Sequence, residues 1–429
     1  MCPCQGPASP ICSPRLRGNH RRPTITGTSQ QTAATMTGEM TGTMARHLRR
    51  IRANIRGNTP PAAATGMMLV PINRAIHRMT SAMQTEAAME GRGVSMLAAL
   101  WDSQPDGSVV CRLCAHRCRL RKGAKGICGV RVNMQGKLVS LVSQVVTAAA
   151  MDPVEKKPLY HFLPGSRIFS VGSAGCNFSC KFCQNSSIAH VPENGIVPGK
   201  RAAPEDLLVL AQSNRAQSMA FTYNEPTVFF ELLYETAGMA LKKGMRSVLV
   251  TNGYMSKDCL SALSRCICAA NVDLKSFSDD FYRKYCGARL QPVLENLKAI
   301  KKLGWWLEVT TLIIPGVNDG QAELADLAAF IRDELGPDTP WHVSGFHGAH
   351  LMIDHPDTPL ATLEKTWSIG RQAGLQYVYI GNARSALGSN TFCPACGAVV
   401  IERDMYETRL RGVEGKCPSC GVQIPGVWK

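Results

Sequence analysis

Long apolar runs are missing from this chain of 429 residues. None approaches the ~20 consecutive apolar residues that cross a bilayer, and the strongest candidate, 145–151, is far too short. Nothing resembles the apolar core of a secretory signal. The expectation is therefore a soluble protein in the cytoplasm, with no membrane partner. Residues 1–95 lack lysine, sustained periodicity and almost all aromatic side chains. Their Thr, Ala, Arg, Gly and Pro give no basis for a packed core, so this stretch reads as disordered. Arg-rich, acid-poor composition can mimic a transit peptide, but the plainer reading is a non-functional extension, with Met89 and Met96 as alternative starts. Cys2, Cys4 and Cys12 lie in it and receive no role. The stretch holds twelve arginines and three glutamates, a net +9 of the chain's +16. The other 334 residues carry only +7, which is weak support for a nucleic-acid surface there.

Cysteine is not scarce. Eleven of 18 fall in three sets with metal-ligand spacing. Pairs two residues apart in a large chain point to metals and a reducing compartment, not to disulfides. Cys176, Cys180 and Cys183 follow C-x3-C-x2-C, too tight for a structural zinc site, which uses four ligands in two separated pairs. The spacing suits a loop around one face of a [4Fe–4S] cube, with thiolates on three irons and the fourth iron open. The alternative is a remote cysteine completing an ordinary zinc or cluster site. Cys111, Cys114, Cys118 and Cys128 form a second set, able to enclose zinc or a second iron–sulfur cluster. His116 beside them reads as a solvated loop histidine. Cys393, Cys396, Cys417 and Cys420 lie in two C-P-x-C-G knuckles, a zinc-ribbon pattern. Cys259, Cys266, Cys268 and Cys286 are scattered and read as small buried apolar groups.

From residue 168 onward, strand and helix patterns alternate. Apolar strands are expected over 168–172, 219–222, 247–251, 272–274, 307–314, 342–346 and 377–380. Helices are expected over 204–212, 228–243, 292–303 and 322–335. Repeated β–α units imply an α/β fold with a parallel sheet and outer helices. The stretch 137–147 reads as a strand or hairpin, and 152–165, with its prolines, as an ordered loop. The expected organisation is the extension 1–95, a Cys-rich module 96–150, a core 151–387 and a ribbon 388–429.

Several segments then occur in order: Glu155-Lys156-Lys157-Pro158-Leu159-Tyr160-His161-Phe162, the Cys176 loop running into Gln184-Asn185, Thr222-Tyr223-Asn224-Glu225-Pro226-Thr227, Thr251-Asn252-Gly253-Tyr254, Val272-Asp273-Leu274-Lys275, Ile314-Pro315-Gly316-Val317-Asn318-Asp319 and Trp341-His342-Val343-Ser344-Gly345-Phe346-His347. With Phe182 before the last loop cysteine, and both flanking cysteine modules, they resemble the radical SAM enzyme of the AmmeMemoRadiSam system. That group is similar to the pyruvate formate-lyase activating enzymes, and the resemblance covers about 96–429. It implies a partial (β/α)6 barrel with the cluster loop after the first strand. It also implies that the open iron holds S-adenosylmethionine (SAM), whose reductive cleavage releases methionine and a 5′-deoxyadenosyl radical.

The resemblance assigns Asn224 and Glu225 to the SAM amino group, in a segment that reads Tyr-Asn where the activating enzymes have Gly-Gly. It sets Asn252, Asp273 and Lys275 against SAM or substrate, and His347 near the adenosine. Gly345 departs from the family, which often carries Arg there. The implied partners are a protein or small-molecule substrate, an electron donor such as flavodoxin or ferredoxin, and proteins with AMMECR-type and Memo-type domains. A metal-stabilised nucleic-acid-binding protein is the competing class, set aside because the ribbon has little Lys or Arg interleaved with aromatics.

Overall fold

The protein is described from a computed structural model over residues 96–191 and 196–429. The expectation for residues 1–95 lies outside the described residues. An eight-stranded sheet forms the centre. Its strands are β1 (Ala148–Pro153), β2 (Arg167–Gly172), β3 (Ser218–Phe221), β4 (Arg246–Thr251), β5 (Ala269–Asp273), β6 (Trp306–Ile313), β7 (Trp341–Gly345) and β8 (Val378–Gly381). They stand in chain order, and β2 through β8 all pair in parallel. Parallel neighbours need crossover connections, and the helices between them supply these. They are α1 (Pro204–Ser213), α2 (Phe230–Lys242), α3 (Lys257–Leu263), α4 (Gln291–Lys302), α5 (Gln321–Phe330) and α6 (Leu360–Gln372). Strand β3 is buried at all four positions, as expected of a parallel sheet covered on both faces.

The expected loop over 152–165 is corrected at its start. Asp152 and Pro153 belong to β1, which runs antiparallel to β2 from Ala148↔Gly172 to Pro153↔Arg167. Pro153 is tolerated because it closes an edge strand, where its missing N–H leaves no ladder bond unmade. The stretch 137–147 holds two strands with different partners. Lys137–Ser140 pairs with Arg131–Met134 and Met96–Leu97, and Val145–Val146 pairs with Lys200–Arg201. Two of the six crossover helices were not among those named from the sequence. One is α3, whose N-cap Ser256 accepts from Cys259 N at 3.1 Å; the other is α6.

Before the sheet lie two small antiparallel sheets that carry Cys111 and its neighbours. After it comes a three-stranded sheet of Thr391–Phe392, Val399–Asp404 and Glu407–Leu410. The segment after β1 passes to the far half of the central sheet, where Tyr160 and His161 donate their backbone N–H groups to Glu308 on β6 at 2.9 and 2.8 Å. Beneath this crossing, Val154, Leu159, Phe162, Ile168, Ala220 and Val248 form one buried cluster. No helix among the described residues is long and apolar enough to cross a membrane.

Candidate active site

The carboxyl ends of successive parallel strands gather the expected site residues. The loop after β2 carries Cys176, Cys180 and Cys183. Asn224 and Glu225 follow β3, Asn252 follows β4, Asp273 ends β5 with Lys275 two residues on, and His347 lies two residues beyond β7.

The cysteine loop is held by its neighbours. Asn224 accepts from Ser173 N at 3.0 Å and donates to Gly175 O at 2.6 Å, so both ends of its amide clamp the loop entry. Gly175 has φ +85°, and a Cβ there would meet Cys128 O at 2.6 Å. Only glycine suits that conformation and that approach. At the centre, Ser179 N and Lys181 N donate to the carbonyls of Cys286 and Tyr285, each at 2.9 Å. Gly287 next to them, at φ +68°, leaves space that Ser179 Oγ occupies. Phe182 is buried against Phe281, ring centroids 5.8 Å apart, and Lys275 Nζ stands 5.8 Å over its ring.

The thiol pKa values are all raised. Burial is the first cause at Cys176, with the Glu225 carboxylate adding to it. Burial likewise raises Cys183. At Cys180 the leading cause is the Cys286 thiol, followed by burial. Such a site disfavours bare thiolates and needs a metal's positive charge to hold them. Four thiolates at ~2.3 Å from a zinc ion lie about 3.8 Å from one another. Among the described residues, Cys393, Cys396, Cys417 and Cys420 are the one group of three or more candidate ligands whose donor atoms are all mutually within 4.8 Å. Three thiolates on one loop suit a cluster, where each has its own iron.

Beside the loop, Glu225 is buried and satisfied mostly by its own chain. One carboxylate oxygen accepts from Thr227 N at 3.0 Å, from Thr227 Oγ1, and from Thr251 Oγ1 at 2.7 Å. The other accepts from Asn252 N alone, at 2.8 Å. A carboxylate offers about four lone-pair sites, so the second oxygen keeps capacity for one more donor. Burial raises the Glu225 pKa against the pull of these bonds. Asn252 donates to Asn177 Oδ1 at 2.7 Å, and Asn177 Nδ2 is buried without a partner among the described groups. Lys275 Nζ pairs with Asp273 at 2.9 Å. Burial opposes its charge, but Asp273 and the nearby thiols outweigh that and raise its pKa. His347 is exposed.

Sequence reasoning missed three features. Cys286, read as an inert apolar group, is fully buried but faces Cys180. A lone cysteine more than 100 residues downstream gave no signal. The second is a buried polar core under the sheet. Glu308 accepts from His342 Nε2 at 2.7 Å and Trp306 Nε1 at 2.9 Å, besides the two backbone donors. His161 bridges Tyr379 Oη at 2.6 Å and Pro425 O at 2.7 Å. The third is Arg403, which donates to Tyr160 O at 2.7 Å and lies 4.3 Å over the Tyr160 ring. Nearby, a cavity of about 350 Å³ is lined by Tyr160, His342, Ser344, Asn382, Arg384 and Arg403, among others, and by no residue of the cysteine loop.

Residues 170–328 match the radical SAM superfamily. The chain is 41% identical over 330 residues to an uncharacterised protein of Methanocaldococcus jannaschii, covering 76% of this chain and 98% of that protein. It is 27% identical over 195 residues to the isethionate sulfite-lyase activating enzyme of Nitratidesulfovibrio vulgaris, covering 43% of this chain and 62% of that enzyme. A solved domain of a pyruvate formate-lyase-activating enzyme from Bacteroides vulgatus aligns with TM-score 0.34 at 17% identity, over 39% of this chain and all of that domain. The chain belongs to the radical SAM superfamily and is related to its activating enzymes.

Proposed function

We propose that this enzyme binds a [4Fe–4S] cluster through Cys176, Cys180 and Cys183, cleaves SAM reductively and removes a hydrogen atom from a protein or peptide substrate. A glycyl Cα–H is the target by analogy with activating enzymes; a small molecule is the second choice. When bound, the cluster supplies the electron that breaks a sulfonium C–S bond of SAM, giving methionine and a 5′-deoxyadenosyl radical. The chain's own residues orient and exclude water. The open oxygen of Glu225 accepts a charge-assisted hydrogen bond from the SAM amino group. Asn252 holds Glu225 and Asn177 in register, Asp273 and Lys275 face SAM or substrate, and His347 stands toward the adenosine. Asn224 acts through the loop it clamps.

The observation that carries this reading is the three-cysteine loop beside one half-satisfied buried carboxylate, both at the carboxyl ends of the strands. The motif order also supports membership of the AmmeMemoRadiSam group. That membership brings AMMECR-type and Memo-type partners and a flavodoxin or ferredoxin as donor, in the cytoplasm. Cys393, Cys396, Cys417 and Cys420 hold structural zinc. Their Sγ pairs at 3.5 and 3.6 Å approach the spacing of a tetrahedral site.

The test is anaerobic cluster reconstitution followed by dithionite and SAM. The expected product is 5′-deoxyadenosine, formed by the parent and lost when Cys176, Cys180 and Cys183 are all replaced by Ala. Equal SAM cleavage in that triple variant overturns the proposal.

A further inference from the structure

Away from the cysteine loop, unspent polar groups gather in one place. Two neighbouring cavities, of about 350 and 370 Å³, share Glu155 and Tyr406 in their walls. Each falls in the lower part of the ~300–1,000 Å³ range of ligand sites. Their walls come from both edges of the central sheet: Ile380 and Gly381 on β8 line the first, and Met151 and Asp152 on β1 line the second. The C-terminal hairpin borders both. Arg403 stands beside the first, Thr408 beside the second, and exposed Tyr406 in the turn lies between them. No residue assigned above to the cluster or to SAM lines either cavity.

Four buried polar atoms in these walls have no hydrogen-bond partner among the described residues: Glu155 Oε2, Arg403 Nε, Ser166 Oγ and Thr408 Oγ1. Leaving such atoms unpaired is costly, so a ligand that pairs them displaces no protein bond. Their other bonds hold them in place. Glu155 Oε1 accepts from Gly165 N at 2.7 Å. Arg403 spends its Nη atoms on Thr391 Oγ1 at 2.8 Å and Tyr160 O at 2.7 Å. Its Nε stands 3.9 Å from Glu155 Oε1, too far for a hydrogen bond, and both side chains are fully buried. One orphan atom only accepts, one only donates, and the two hydroxyls do either. Net charge does not choose the ligand, because Arg403 faces Glu155, Arg384 pairs with Asp404 and Lys156 pairs with Asp152. A neutral ligand offering N–H and C=O groups in alternation along its length fits, and an extended polypeptide is such a ligand.

We propose that this groove docks an extended polypeptide segment away from the reacting centre. A backbone N–H of the segment donates to Glu155 Oε2, and a backbone C=O accepts from Arg403 Nε. The inference rests on the protein-substrate reading for the source of the segment, not for the site. The probe is a short linear peptide selected from a displayed random library against the reconstituted full chain, then labelled and titrated by fluorescence anisotropy. Methylating its backbone nitrogens one at a time should weaken binding about ten-fold or more at one position, because that N–H faces a carboxylate. Glu155→Gln, which can keep an oxygen toward Gly165 N, should weaken it as much. Ala386→Trp fills the exposed mouth of the first cavity and alters neither buried group, so it should abolish binding. Iron and zinc contents equal to the parent's show that each variant is folded. The Cys176/Cys180/Cys183 triple variant should bind the peptide as the parent does, which separates loss of docking from loss of radical chemistry. A peptide that this variant no longer binds belongs at the cluster and overturns the docking site. A library that yields no binder, leaving the groove to water alone, also overturns it, as does a peptide whose affinity neither Ala386→Trp nor backbone methylation lowers.

Discussion

Replacing Glu225 with Gln separates its structural role from the role in SAM binding proposed for it. The oxygen that accepts three bonds, from Thr227 N, Thr227 Oγ1 and Thr251 Oγ1, can remain an oxygen in the variant. The other becomes an NH2 group facing Asn252 N–H, now 2.8 Å away as a donor. That edge is also the one with spare capacity for the SAM amino group. The variant loses an acceptor for a charged donor, worth about 1.5–3 kcal/mol, so SAM affinity should fall roughly ten- to 150-fold. Iron content should not change, because neither Glu225 oxygen touches a cysteine sulfur by hydrogen bond.

The control is Thr251→Val. It removes one donor from the satisfied oxygen and leaves the open edge intact, so SAM affinity should stay within a few-fold. Equilibrium dialysis of SAM against the reconstituted, unreduced enzyme measures both. The reasoning fails if Glu225→Gln binds SAM as the parent does, or if Thr251→Val costs as much as Glu225→Gln. Because burial raises the Glu225 pKa, SAM affinity should also start to fall, as pH is lowered, before the ordinary carboxylate range is reached.

Three further outcomes are expected. Cys286→Ala should load the Cys176 cluster with the same iron as the parent, since three thiolates suffice and Cys286 only packs on Cys180; loss of about four irons would make Cys286 a ligand. Burial drives the His161 pKa from 6.5 down to about 4. The folded chain therefore refuses a proton that the unfolded chain accepts, and stability is lost as pH falls from about 6.5 to about 4, by up to ~3 kcal/mol. Urea unfolding should show that slope, His161→Gln should flatten it, and identical slopes would refute the assignment. Cys417→Ser should lower zinc content and expose 388–429 to proteolysis while the Cys176 site still takes iron, because a segment of about 40 residues has too little core to fold without a staple; iron lost with zinc would refute their independence.

The strands were legible because most are buried on both faces and read as continuous apolar runs, as in Ser218–Phe221. Strand β1 was not. Its Ala148–Pro153 sequence has no alternation and ends in proline, and only pairing with Arg167–Gly172 makes it a strand. Helix α6 was missed because Leu360–Gln372 interrupts its apolar positions with Thr, Ser and Gly, and Gly370 is there to admit the Trp341 ring, 2.9 Å from where a Cβ would stand. Both are decided by tertiary contact, which a local pattern does not contain.

The site divides along the same line. Ligand spacing within one loop is local, so Cys176, Cys180 and Cys183 announce themselves. What positions them is not local. Asn224 looked like a ligand-binding amide, and each of its polar ends also bonds the loop entry, at Ser173 and Gly175. Glu225 looked like a free acceptor, yet it also ties the end of β3 to that of β4 through Thr251 and Asn252. His116 looked solvated, yet it bonds the residue after Cys176. In each case a side chain with a readable chemistry is engaged by groups brought from other segments of the chain. The one oxygen left short of partners is where a ligand gains most, because there a new bond replaces water and no existing protein bond must break. That is why the unfilled edge of Glu225, and not the count of polar residues around it, is the place proposed for the SAM amino group.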